Sequence, residues 1–262
     1  MSDTAAAATG PAVTYAVADG VATVTLDRPE ARNVLDADSL VLLLDSLAQA
    51  AADPSVRVVV LTGTGSAFCA GADLRGAAGE GGIATGGARM FVDVLVALLD
   101  HPKPTVARVQ GHVAGGGNGL VAACDLAVAS SAARFAFSEV RVGVAPSMIS
   151  VVCLRVMHPR AAAELMLTGE RVGADRALAA GLLTSVVEPE LLDATVAGWV
   201  EQLRLGGPEA MAATKQLLRR VPAMERSEAF AWTAELSASL FAGAEAAEGM
   251  SAFVERRPPT WA

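Results

Sequence analysis

The chain of 262 residues is short of the groups that several common functions require. Cysteine occurs three times, at Cys69, Cys124 and Cys153, an odd number with no C-x-x-C spacing. Neither a disulfide framework nor a zinc site is indicated, and each thiol reads as a small buried hydrophobe. Lysine occurs only at Lys103 and Lys215, and 20 basic residues stand against 28 acidic ones, a formal charge of −8. No basic run forms a patch for a phosphate backbone, so nucleic-acid binding is not expected. Histidine is equally sparse: His101 and His158 each precede a proline in a turn, and His112 opens a glycine loop. These positions offer no Ser-His-Asp triad, and no metal site is expected. No stretch of about eighteen apolar residues is free of charge or glycine, which argues against a membrane span. The first eleven residues lack a basic region followed by a long apolar run, so the protein is expected in the cytoplasm.

What remains is an apolar chain, 53% hydrophobic and 18% charged. Such a chain folds compactly and has apolar surface to bury between subunits as well as in a core. Its length allows one large domain or two unequal ones. Residues 22–27 alternate Val and Thr as a strand does, and a helical pattern follows over 36–52. Residues 56–62 form a nearly continuous β-branched run, fit for a strand buried on both faces, and 105–109 form another after a helical stretch over 88–100. This alternation predicts an α/β fold with the functional loops at one end of a sheet. From residue 159 onward the pattern is mainly helical, over 159–167, 174–179, 189–203, 208–219 and 226–241, with a strand-like 182–187 between. A soft boundary at Glu188 divides a core, 1–188, from a helical region, 189–262. The Gly/Ala-rich stretch 76–87 reads as a surface loop, or as a lid beside the end of the second strand.

Three segments are candidates for chemistry. The first is Ala114-Gly115-Gly116-Gly117-Asn118-Gly119-Leu120, a glycine loop running into a helix. Its glycines allow backbone N–H groups to approach a ligand closely, and the helix start favours negative charge. The second, Ser66-Ala67-Phe68-Cys69-Ala70-Gly71-Ala72-Asp73, leaves the preceding strand with small residues round its turn. Two such loops from neighbouring strands can clamp one carbonyl oxygen, an oxyanion hole in which each donor stabilises a transition state by roughly 3 to 4 kcal/mol. The third is Arg134-Phe135-Ala136-Phe137-Ser138-Glu139, where a carboxylate follows an apolar strand. Desolvation there can raise a glutamate toward the pKa that a proton-transferring group needs; the plainer alternative pairs Glu139 with Arg134 or Arg141. Gly117-Asn118-Gly119-Leu120-Val121-Ala122 also fits G-x-G-x-x-A, but it lies mid-chain and not directly after a first strand, which ranks a dinucleotide enzyme low.

The order of these segments resembles the enoyl-CoA hydratase/isomerase (crotonase) family across nearly the whole chain. Val21-Ala22-Thr23-Val24-Thr25-Leu26-Asp27-Arg28-Pro29-Glu30-Ala31-Arg32-Asn33 is similar to its opening strand and turn, Phe68 to Asp73 to its first oxyanion loop, and Val109-Gln110-Gly111 through Gly117 to its second. Cys124-Asp125-Leu126-Ala127-Val128-Ala129 resembles the strand that follows, and Glu248-Gly249-Met250 through Pro259 resembles the tail. The resemblance implies a spiral of ββα units with a C-terminal helical trimerisation region, assembled as a homotrimer or homohexamer. It implies an acyl-CoA thioester as the ligand, with coenzyme A part of the substrate and no separate cofactor. Ala70 and Gly116 would supply the oxyanion hole, and Ala70, Gly71, Ala72 and Asp73 would lie near the coenzyme. Arg256 would approach a neighbour's coenzyme, and Glu139 would be the catalytic acid/base.

One departure bears on the reaction. Two-carboxylate hydratases of the family carry a glutamate where this chain has Gly119, so only Glu139 remains. Asn118, beside it, is a candidate for positioning water. The leading expectation is hydration of a 2-enoyl-CoA through an enolate. The alternatives are isomerisation of a 3-enoyl-CoA to the 2-enoyl thioester by one glutamate and, in another class, a catalytically idle acyl-CoA-binding protein.

Overall fold

The computed structural model describes residues 10–72 and 86–261. Asp73 and residues 76–85 of the Gly/Ala-rich loop lie outside the described residues. The chain opens with a hairpin, β1 (Val13–Ala18) and β2 (Val21–Leu26), paired antiparallel from Val13↔Leu26 to Ala18↔Val21. Strands β3 (Val58–Gly63), β5 (Thr105–Val109), β7 (Leu126–Ser130) and β10 (Ser185–Val187) then join in parallel, giving a six-stranded sheet in the order β1-β2-β3-β5-β7-β10. A second sheet, in the order β4-β6-β8-β9, is built from the three-residue strands β4 (Ala67–Cys69), β6 (His112–Ala114), β8 (Arg134–Ala136) and β9 (Arg171–Gly173).

The two sheets fill in step. Each of β3, β5 and β7 passes through a short link into β4, β6 or β8, and then into a helix: α2 (Ala88–Leu99), α3 (Gly116–Ala123) or α4 (Ser147–Val156). These three ββα turns stack as a spiral, so three equivalent loops emerge side by side. Before them comes α1 (Ala37–Ala52), started by a capping box in which Asp36 accepts from the Ser39 N–H and the Ser39 hydroxyl accepts from the Asp36 N–H.

The β-branched run over 56–62 is explained by burial on two faces. Val59, Leu61, Ala107, Val109, Ala127 and Ala129 face the main core. Val58, Val60, Val106 and Val128 face α7 (Leu192–Arg204), which sets Leu192, Val196 and Val200 against them. The helix that follows Glu188 therefore covers one face of the sheet. Beyond it, α5 (Pro159–Thr168) and α6 (Ala174–Ala179) having preceded β10, come α8 (Pro208–Arg220), α9 (Arg226–Phe241) and α10 (Ala244–Glu255). Helix α9 buries no residue within this chain. No described helix is long and apolar enough to cross a membrane.

Candidate active site

The first loop leaves β4 and is held from below by residues 32–35. The Ala70 N–H donates to the Arg32 carbonyl at 3.0 Å, the Leu35 N–H donates to the Gly71 carbonyl at 2.7 Å, and Leu35 forms a parallel bridge with Ala72. Gly71 has φ +87°, a region that glycine reaches without strain. Since a trans peptide points its C=O and N–H in opposite directions, anchoring the Gly71 carbonyl on Leu35 turns the Ala72 N–H away from residue 35. This corrects the expectation for Ala70, whose amide is already satisfied. The Ala72 N–H donates to no acceptor among the described residues.

The second loop lies directly against the first. A Cβ on Gly71 would sit 2.8 Å from the Ala114 carbonyl oxygen and 3.1 Å from the Gly116 nitrogen, so only glycine allows this approach. Gly115, with φ +51°, caps α3, and its N–H donates to the Ala136 carbonyl at 3.2 Å. Gly116 is the first residue of α3, where an amide has no partner inside its own helix. Around it stand apolar side chains: a Cβ there would meet Phe91 at 3.2 Å and Leu35 at 3.3 Å.

Glu139 closes the arrangement from the third ββα unit, in the 3₁₀ turn Ser138–Val142 just past β8. Its Oε1 lies 3.7 Å, and its carboxyl carbon 3.9 Å, from the position a Cβ would take on Gly115, and the same position is 3.7 Å from Gly71 Cα. Glu139, Gly115 and Gly71 thus share one small volume. The Oε2 atom is buried and has no hydrogen-bond partner among the described residues. Burial raises the Glu139 carboxyl above the ordinary glutamate range, and a hydrogen bond from its own backbone N–H offsets only part of this. The ion-pair alternative is not realised: Arg134 donates to the carbonyls of residues 131–133, Arg141 donates to the Thr168 carbonyl, and no described salt bridge includes Glu139.

Behind the acid, Asn118 is fully buried. Its Nδ2 donates to the Ala136 carbonyl at 2.8 Å, while its Oδ1 is buried without a partner among the described residues. Cys153 is buried beside it, its thiol held 3.7 Å from the Asn118 carbonyl and pushed up to about 12, first by burial and then by the charge of Glu139. Where a second acid would stand, α4 packs against α3: a Cβ on Gly119 would lie 2.5 Å from Ile149 Cγ2 and 3.5 Å from Leu95 Cδ2. The same packing disposes of the dinucleotide fingerprint, because Gly117 and Gly119 lie inside a buried helix and do not open toward a ligand. Of the histidines, His101 is buried, its ring nitrogens within hydrogen-bond reach of the Leu47 and Lys103 carbonyls, and His112 is exposed at the start of β6. Arg256 is exposed at the C-terminal end of α10 and forms no ion pair among the described residues.

The sequence showed the two small-residue loops and Glu139, and the fold brings them together. It concealed Leu35, Phe91 and Ile149, apolar residues whose place at the site comes only from tertiary packing. The choice between Ala70 and Ala72 was equally hidden, since it turns on the backbone rotation at Gly71.

The fold is thus a spiral of ββα turns that carries two facing main-chain loops and one desolvated carboxylate. The chain belongs to the enoyl-CoA hydratase/isomerase family, which it matches over residues 16–262. It is 34% identical over 254 residues to the (E)-benzylidenesuccinyl-CoA hydratase of Thauera aromatica, covering 95% of this chain and 98% of that protein. It is 35% identical over 246 residues to the carnitinyl-CoA dehydratase of Escherichia coli K12, covering 91% and 93%. A crystal structure of an enoyl-CoA hydratase from Mycobacterium smegmatis superimposes with a TM-score of 0.90 at 37% identity, covering 96% of this chain and 99% of that one. The protein is an enzyme of the hydratase type within that family.

Proposed function

We propose that the protein adds water across the double bond of a 2-enoyl-CoA thioester. The thioester oxygen is received between the N–H groups of Ala72 and Gly116, which stabilise the enolate formed when water attacks the β carbon. Glu139 accepts a proton from the attacking water and returns one to the α carbon. Asn118 Oδ1, a buried acceptor with no partner among the described residues, is the candidate for orienting that water. Gly71, Ala72 and Asp73 are assigned to the coenzyme, and no cofactor beyond the coenzyme A of the substrate is required. Leu35 and Phe91 flank Gly116, so a hydrocarbon acyl chain fits that wall.

The observation that carries this reading is the desolvated Glu139 carboxylate, its Oε2 without a partner among the described residues, placed against Gly115 and Gly71. Glu139→Gln tests it. Turnover of crotonyl-CoA should fall by about 10²- to 10⁴-fold while acyl-CoA binding persists, as removal of a general acid/base requires. Full turnover by the variant would remove Glu139 from the chemistry, and an inactive parent chain that still binds acyl-CoA would favour the idle reading.

One observation favours isomerisation as the second reading: Ile149 fills the place of a second acid, and one carboxylate suffices to move a proton between the α and γ carbons. A 3-enoyl-CoA converted to the conjugated thioester, with crotonyl-CoA left untouched, would reverse the order.

Assembly as a homotrimer or homohexamer completes the proposal. Val142, Val144, Val151, Leu154 and Leu167 are exposed beside the Glu139 turn and along α4 and α5, as are Phe230, Phe241 and Phe253 on α9 and α10. This number of exposed large apolar side chains supports burial between subunits. In that assembly, Arg256 is assigned to a neighbour's coenzyme.

A further inference from the structure

Two consecutive residues of the segment under the first loop, Arg32 and Asn33, have φ values of +56° and +55°. Left-handed backbone is unusual for a residue with a side chain, less so for Asn than for Arg, and two in succession persist only where the surroundings over-determine them. Here the surroundings are the Asn33 side chain. It is 2% exposed and makes three hydrogen bonds: Oδ1 accepts from the Arg28 N–H at 2.8 Å, and both Nδ2 hydrogens are donated, to the carbonyls of Thr64 at 2.9 Å and Ala67 at 2.8 Å. One side chain thereby ties the turn after β2 to the link between β3 and β4.

The strained turn has a specific effect downstream. With residues 32 and 33 left-handed, the Arg32 carbonyl is presented to Ala70 and the Leu35 N–H to Gly71. Those two bonds set the orientation of the peptide that carries the Ala72 N–H.

We propose that Asn33 is a positioning residue of the thioester-oxygen site, holding residues 32–35 as the rail on which the Ala72 amide is aimed. The proposal rests on the reading of Ala72 as an oxyanion donor. It assigns to Asn33 an effect on the transition state out of proportion to any effect on substrate binding, because a misdirected donor still leaves the coenzyme its other contacts.

The test uses Asn33→Gly, which keeps the left-handed backbone unstrained and removes only the side-chain bonds. Crotonyl-CoA turnover is measured together with binding of butyryl-CoA labelled with ¹³C at the thioester carbonyl, whose stretching frequency falls when donors polarise it. The expected result is a kcat loss on the order of 100-fold, the scale of a reacting group misplaced by about an ångström, with butyryl-CoA affinity within about threefold of the parent and a smaller downward carbonyl shift. Asn33→Asp, of the same shape but without the two N–H donors, carries the same expectation if the glycine variant does not fold. An unchanged carbonyl shift, or failure of both variants to fold, would overturn the proposal and leave Asn33 a residue of the fold alone. If the parent chain itself shows no carbonyl shift on binding butyryl-CoA, the oxyanion reading fails first, which separates the two failures.

Discussion

Glu139 combines two properties that rarely coexist at an uninvolved surface carboxylate: one oxygen is removed from water, and no cation among the described residues replaces the lost solvation. The sign of the consequence can be worked out. A carboxyl whose folded pKa lies above its unfolded value binds its proton more tightly in the folded state, so the stability it contributes is present at acid pH and is lost as pH rises through the folded pKa. Glu139→Gln should therefore raise the melting temperature at pH 8, and the gain should shrink as pH falls toward 4, which thermal melts across that range will show. The acid limb of kcat/KM should lie above the usual carboxylate range and move with this residue. Sequence alone exposed Glu139 through its setting, a lone acid after an apolar strand. It could not expose its solvation, because the partners it lacks, Arg134 and Arg141, are near in sequence and turned elsewhere by their bonds to carbonyls. Ala70 and Ala72 make the same point for the main chain: two alanines in one loop look alike until the rotation at Gly71 separates them.

At the scale of elements, the contact between α3 and α4 decides how many acids the site can hold. Gly119→Glu should not convert the site to a two-acid one, since Ile149 occupies the space. It should cost about 1–3 kcal/mol by overpacking, and Ile149→Ala in the same chain should recover part of the loss, as urea midpoints will report. Helix α8 is pinned by Lys215, which is buried, pairs with Asp125 at 2.6 Å and donates to the Lys103 carbonyl at 2.9 Å. Lys215→Met should cost about 3 kcal/mol, the lower end for a broken buried pair, because Asp125 retains some access to water. The long elements were legible in the sequence: the β-branched runs became β3 and β5, and the helical periods became α1, α2 and α7. The second sheet was not, since strands of three residues are too short to show alternation and are specified by pairing with neighbours from other turns of the spiral.

For the whole molecule, the exposed apolar side chains are the feature that a lone chain leaves unexplained. Sixteen residues of α9 bury nothing within the chain, and a helix of that composition is stable when something packs on it. Light scattering should find a particle of three or six chains, and Leu154→Asp with Val151→Asp should reduce it to smaller species without loss of helical signal. A monodisperse monomer from the parent chain would refute the assembly. The turn that bears Glu139 ends at Val142, and Val144 follows just past its Gly143 cap; both valines are more than half exposed. On the proposed assembly that segment is covered by a neighbour, so specific activity should fall on dilution below the concentration at which chains associate, and an activity series across that range will show whether it does.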